Sequence, residues 1–307
     1  MKRVNLINAA LLLVAILTSA GMTAAISRRT PQEQRSAGEQ VAKDATGGEI
    51  PVRAYARIVS TSTIADQVLI EIIEPERLLA ISAHTLRSQQ SQPFEDKIGV
   101  EHARDIETII ELRPDIVFIN NFLDRRQVER LKEAGLNVFD LGPMRGLETL
   151  LPNIAQLASV LGVPERGRAL GDRLVHELDE LAADIPDDER REALYVGIHG
   201  DRLYGGTAGT SFHDVLLAAG LVDVAAEAGF DGWPAFTNEQ LLSLDPPWII
   251  TNPGTERSLC RHPGLRSLTA CRAGQVRSIE THLLTDPGLG MLQAAEAVHA
   301  AVYGDGS

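Results

Sequence analysis

Aromatic side chains are scarce: Phe, Trp and Tyr make up 4% of the 307 residues. Any ligand site in this chain has few rings to offer. Basic charge is also in deficit. The formal net charge is −13, which argues against nucleic acid and anionic lipid as main partners, since both are held by basic surface. A docking partner that carries basic patches fits better. Cysteine is limited to Cys260 and Cys271, and no CxxC or HxxxH spacing accompanies them, so they do not read as a zinc site. In an oxidising compartment they could pair. The stretch between them, RHPGLRSLTA, reads as a short helix opening at Pro263. A helix of about eight residues rises roughly 12 Å, whereas bridged Cα atoms lie about 5.5 Å apart. Pairing then requires Cys260 to fold back over that helix, and the sequence leaves the question open.

Catalytic signatures are missing as well. There is no G-x-S-x-G elbow. The glycine-rich run from Gly205 to Thr210 lacks the lysine of a phosphate-binding loop. Ser211, His213 and Asp214 crowd one helix start and cannot form a nucleophile–base–orienter array. The chain is therefore read as a binding protein and not an enzyme, with no intrinsic cofactor.

The first thirty residues carry a localisation signal. Met1-Lys2-Arg3 is a short basic start, Leu6 to Ile26 is almost wholly apolar, and small residues such as Ala20, Gly21, Ala24 and Ala25 close the run. This is the pattern of a secretory leader. No cysteine lies near its end, so a lipid anchor at that point is not expected. About 20 apolar residues also suffice to span a bilayer, so an uncleaved anchor is the competing reading. In both cases the body is exported. Residues 27–50 are polar, lack periodic apolar positions and read as a flexible leader.

Beyond residue 51 the expected class is α/β. Short β-rich runs, each followed by a helical pattern, form two groups: RIVS, LLAIS, DIVFIN and VFDLG, then ALYVGIH, WIITN and VRSIE. Apolar strands alternating with helices indicate parallel sheets covered on both faces. Residues 147–185 read as one long helix between the groups, with Gly162-Val163-Pro164 as a kink point. The division is a lobe at 51–146, the connecting helix at 147–185 and a second lobe at 186–307.

A repeat links the lobes. DIETIIELRPDIVFIN (105–120) aligns without a gap with TNEQLLSLDPPWIITN (237–252). Each copy reads as a helix, a proline stop and a buried strand. Asn120 and Asn252 both fall at the carboxyl end of the strand, the edge at which open α/β sheets bind ligands. Glu107 and Glu239 each sit in the first turn of the helix, away from the apolar face. Complementing the helix dipole, worth about 0.3–1 kcal/mol, explains either one alone.

Several segments resemble a known family. RIVSTSTIADQVL, KIGVEHARDIETIIELRPDIVFIN, YGGTAGTSFHDVLLAAGLVDVA, FTNEQLLSLDPPWIITN and HPGLRSLTACRAGQV, in this order, resemble the class III, helical-backbone periplasmic binding proteins of ABC importers for ferric siderophores, haem and cobalamin. The resemblance runs from about Arg57 to Tyr303. It implies two Rossmann-like lobes with central parallel sheets joined by a single long backbone helix. It also implies one glutamate per lobe that pairs with arginines of the membrane permease, and these match Glu107 and Glu239. The chain departs from the family at Ile73-Glu74-Pro75-Glu76, where a glycine pair is common, and at Pro247, where an aspartate is common.

The ligand site is expected past the strand ends. In the first lobe the candidates are Ser62, His84 and Phe122. In the second they are His199, Arg202, Tyr204, Trp233, Asn252 and His282. Three of these are imidazoles, which bind iron, zinc and copper. For each histidine alone a satisfied loop residue is the plainer reading; together they form a candidate metal or haem contact. The expected function is an exported, monomeric substrate-binding protein that captures a metal chelate and hands it to a permease. The alternatives are a free metal-ion receptor built on those histidines and a membrane-anchored ligand sensor.

Overall fold

The computed structural model describes residues 40–87, 94–101, 105–120, 125–200, 202–284 and 288–304. The chain divides into Met1–Val41 and Ala42–Ser307, and the second unit holds both large sheets. The leader expected at 1–26 and Phe122 lie outside the described residues.

Strands β1 (Val41–Lys43) and β2 (Glu49–Pro51) form a two-stranded sheet, so the flexible leader expected up to residue 50 is ordered at its end. Asp44 is the reason. Its Oδ1 accepts from Thr46 N, Thr46 Oγ1 and Gly48 N at 2.9, 2.8 and 2.7 Å, a turn built by an aspartate on its own backbone.

The first lobe follows in the order β3 (Ile58–Ser60), α1 (Thr63–Ile72), β4 (Leu78–Ser82), α2 (Ala83–Arg87), β5 (Ile98–Val100), α3 (Ile106–Glu111), β6 (Ile116–Ile119), α4 (Arg125–Glu133) and β7 (Asn137–Asp140). Its strands form a five-stranded parallel sheet in the order β5-β4-β3-β6-β7. Along β6 the residues alternate between two cores. Ile116 and Phe118 enter one, Val117 and Ile119 the other. This is the period-two pattern of a strand covered on both faces.

The stretch expected to be one helix is two. Helices α5 (Leu147–Val160) and α6 (Pro164–Ala183) are separated by Leu161-Gly162-Val163 and lie antiparallel. Pro164 starts a helix here instead of kinking one, since proline fits the first turn, where its missing N–H is not needed. Gly167 lets the helices touch: a Cβ there would stand 2.3 Å from the Ala158 Cβ. Helix α6 alone, with 20 residues and a rise of about 30 Å, connects the lobes. Leu170, Leu174 and Leu178 of α6 lie in one apolar core with Ile58 and Phe118 of the first lobe and Phe212, Leu216 and Val298 of the second. Burying each such side chain contributes about 1.5–3 kcal/mol.

The second lobe runs β8 (Arg191–Tyr195), β9 (Gly197–His199), β10 (Arg202–Tyr204), α7 (Ser211–Ala218), β11 (Leu221–Asp223), α8 (Val224–Glu227), β12 (Ala235–Phe236), α9 (Asn238–Leu244), β13 (Trp248–Thr251), α10 (Thr255–Arg261), α11 (Thr269–Ala273), β14 (Val276–Ser278), α12 (Thr281–Leu284) and α13 (Met291–Tyr303). Four strands pair in parallel as β11-β8-β13-β14, and β12-β10-β9 form a small antiparallel sheet beside them. The repeat is preserved in space: β6 and β13 occupy equivalent stretches, and Ile116 and Trp248 both enter the shared core.

Cys260 and Cys271 are bridged, with Cα atoms 5.4 Å apart. The segment between them is not one helix. α10 ends at Arg261 and α11 begins at Thr269, so the chain turns back and brings the sulfurs together. Among the described residues no helix is long and apolar enough to cross a membrane.

Candidate ligand site at the strand ends

The carboxyl edge of the first sheet is a buried hydroxyl network. Asp66, fully buried in α1, accepts from Ser82 N at 3.0 Å and from Thr85 Oγ1 at 2.7 Å. Burial pushes its carboxyl up from the usual range, and hydrogen bonds from Ser60, Thr85 and Ser82 oppose that. Ser62, read as a ligand contact, is fully buried and caps α1 by accepting from Ala65 N. Its hydroxyl is therefore committed to holding the helix start. Asn120 is also buried. His84 is exposed on α2, and Arg87 of the same helix is paired with Glu101 at 2.6 Å.

The second edge is aromatic. β8 ends in Tyr195, which is 2% exposed. Its ring stacks on Phe212 with centroids 3.9 Å apart. Phe212 meets Trp233 edge-on at 5.1 Å, and Trp233 is 56% exposed. These three rings make a continuous apolar column from the core to the surface. Tyr204 lies edge-on to Tyr195 at 6.4 Å. The Tyr195 hydroxyl donates to Asn252 Oδ1 at 2.7 Å, and burial raises its pKa. Trp233, Tyr204 and Asn252, expected from the sequence, are thus gathered around two residues that the sequence reading missed, Tyr195 and Phe212. The signal for Tyr195 was a hydroxyl in an otherwise apolar strand, ALYVGIH.

The remaining candidates lie near this edge or apart from it. Arg202 is exposed on β10 opposite His199 of β9. His282 is in α12. Among the described residues no three His, Cys, Asp or Glu side chains converge to hold a metal ion; the His199 and His282 side chains lie outside the described set. His213 and Asp214 serve separate partners. His213 Nδ1 lies 2.9 Å from Asp223 Oδ2, which also accepts from Thr207 Oγ1 at 2.7 Å. Asp214 Oδ2 accepts from Leu147 N of α5 at 2.7 Å and so ties the second lobe to the start of α5. A depression of about 310 Å³ beside the disulfide, lined by Glu256, Arg257 and Val276 among others, opens at the amino end of β14, away from this edge.

Glu107 and Glu239 are both exposed in the first turns of α3 and α9. Arg130 donates to Glu107 at 2.7 Å and holds its carboxyl below the usual range. Glu239 starts a helix capped by the reciprocal Thr237–Gln240 box.

Known proteins of this architecture are similar in sequence and fold. A cobalamin-binding protein of Halobacterium salinarum is 24% identical over 243 residues, covering 75% of this chain and 65% of that protein. The match therefore spans just under two thirds of that relative. An uncharacterised ABC transporter substrate-binding lipoprotein, YvrC of Bacillus subtilis, is 20% identical over 97% of this chain and 96% of its own length. The periplasmic haem-binding protein HutB of Vibrio cholerae superimposes with a TM-score of 0.69 at 18% identity, over 82% of this chain and 99% of that one; at this identity the likeness concerns the fold. The periplasmic binding protein family matches residues 58–283, and the chain belongs to it, in the class whose two α/β lobes are joined by a helical backbone.

Proposed function

We propose that this chain is the exported substrate-binding component of an ABC importer, that it captures a metal chelate with a broad planar face, such as a corrinoid or a porphyrin, between the two carboxyl edges, and that it docks on the permease through Glu107 and Glu239. The observation that carries the reading is the Tyr195–Phe212–Trp233 column, which ends in a tryptophan 56% exposed beside the carboxyl edge of the sheet. In a chain this poor in aromatics, an exposed ring backed by two others is a platform for a flat apolar ligand. Its relatives' names point to cobalamin and haem. Rim carboxylates on both lobes suit orientation on a basic partner more than affinity for it.

Tryptophan fluorescence tests the reading. The chain has two tryptophans, and Trp248 is buried between Arg191 and Arg277, so Trp233 is the reporter. Titration with haemin, cyanocobalamin, a ferric hydroxamate, a ferric catecholate and zinc should give saturable quenching by haemin or cyanocobalamin, and the change in the chelate's own absorbance on binding should be lost in Trp233→Ala. Tight binding of zinc alone would replace this reading with that of a metal-ion receptor.

A further inference from the structure

The second edge holds one polar arrangement whose direction is fixed. Asn252 follows β13 and is half-buried at the carboxyl edge of the sheet. Its Oδ1 accepts the Tyr195 hydroxyl at 2.7 Å. The Tyr195 ring is locked by the Phe212 stack on one side and by Tyr204 on another, so the hydroxyl cannot swing away. Tyr204 stands edge-on beside Tyr195 and adds to burial in raising the phenol's pKa. A phenol has one proton to give and can also accept. In this arrangement the Tyr195 oxygen gives its proton to Asn252. If the amide were turned round, the phenol would face the Asn252 NH2 and this 2.7 Å donated bond would be lost, a cost for a group this buried.

We infer that Tyr195 is a positioning residue: it turns the Asn252 amide so that Nδ2 stands at the edge of the aromatic column as a hydrogen-bond donor for an acceptor group on the ligand. The consequence for ligand class rests on the reading of the column as a macrocycle platform. The site offers a flat apolar wall and, beside it, a neutral N–H donor of fixed direction. A ligand that fits has a planar ring and a peripheral acceptor, a carboxylate or an amide carbonyl. A site built to donate discriminates against an analogue without the acceptor, because the buried polar group is then left unpaired. The first lobe does not duplicate the device, since Asn120 in the matching position is 9% exposed.

The experiment uses the full chain and two variants, with haemin and cyanocobalamin as probes. Asn252→Asp replaces the donor with an acceptor of the same shape. Tyr195→Phe keeps the stacked ring and removes the hydroxyl. Asn252→Asp should weaken haemin, whose propionates only accept, by about tenfold or more, and cyanocobalamin, whose side-chain amides can turn to donate, by much less. Tyr195→Phe should weaken the probe that binds by about three- to tenfold, with an unchanged near-ultraviolet dichroism from the Phe212–Trp233 pair. If a probe binds the parent and both variants equally, the inference is overturned while the macrocycle reading stands. If neither probe binds the parent, the macrocycle reading fails, and a measurement without ligand still decides the inference. The Asn252 side-chain amide pair in a ¹⁵N-correlated spectrum should shift in Tyr195→Phe; an unchanged pair overturns the inference.

Discussion

Arg113 and Asp245, with φ of 47° and 36°, are the two non-glycine residues in the left-handed region among the described residues, and they lie 132 positions apart, at the same point of the two repeats. Each ends a helix and precedes a proline, Pro114 or Pro246, which disfavours the right-handed helical region for the residue before it. The two lobes secure the same strained turn differently. In the first, Arg57 donates to the carbonyls of Leu112 and Arg113 at 2.6 and 3.1 Å. In the second, Asp245 accepts from Thr269 N and Oγ1 at 2.7 and 2.8 Å, which holds the start of α11.

Asp245→Ala should therefore lose about 1–2 kcal/mol, because it removes the hold on α11 and keeps a side chain where the backbone disfavours one. Urea denaturation with Asp245→Asn as control reads it. The control, which tolerates the left-handed region and retains an acceptor, should lose less. Equal losses would sink the explanation.

Gly146 has φ 65° and ψ −147°, a region open essentially to glycine. A Cβ there would also run into the Asp214 carboxylate that caps α5. Gly146→Ala should cost about 3 kcal/mol or more, with a lower melting temperature. Asp214→Asn keeps an acceptor for Leu147 N and should melt close to the parent; a melt as low as that of Gly146→Ala would refute the cap.

His213 is held above the usual imidazole range, first by its hydrogen bond to Asp223 and then by the nearby charges of Asp223 and Asp214, against the opposing effect of burial. A folded-state pKa above the unfolded one gives stability that is complete below the unfolded value, near 6.5, and is lost as pH rises through the folded value. The advantage of the parent over His213→Gln should therefore be larger at pH 5.5 than at pH 9. A gap that widens toward high pH would contradict the assignment.

Charge reversal at Glu107 and Glu239 together should abolish uptake in cells and leave the fluorescence titration unchanged. Uptake at the parental rate would refute docking through these residues. Arg130→Ala frees Glu107 but should leave stability almost unchanged, since exposed ion pairs contribute little.

The sequence made much of this molecule legible, for physical reasons that differ by residue. DIVFIN and WIITN read as buried strands because apolar residues crowd positions that face two cores, and β6 and β13 lie there. The short strands β5 and β11, three residues each, escaped because IGV and LVD carry too little pattern. Gly162-Val163-Pro164 was ambiguous: a proline two residues after a glycine kinks a helix or opens a new one, and the choice was made by Gly167 against Ala158, a contact between the two helices that no helical periodicity records. The pairing of Cys260 with Cys271 stayed open because it hung on whether residues 261–268 were helical. Ser62 stood one residue before a helix, which is itself the mark of a cap. Tyr195 passed as core because a strand pattern counts its ring and ignores its hydroxyl.

The close pairing of α5 with α6 also has a mechanical side. Two rods laid side by side and bonded along their length resist bending far more than one, as plywood resists more than a single veneer. Arg173–Glu71 and the bond from Arg166 to the Ile72 carbonyl fasten the same beam to α1 at 2.8 and 2.9 Å. With Leu170, Leu174 and Leu178 of α6 also packed into a core shared by both lobes, ligand capture should leave the radius of gyration in small-angle scattering nearly constant. A contraction like that of a closing jaw would show that the beam bends.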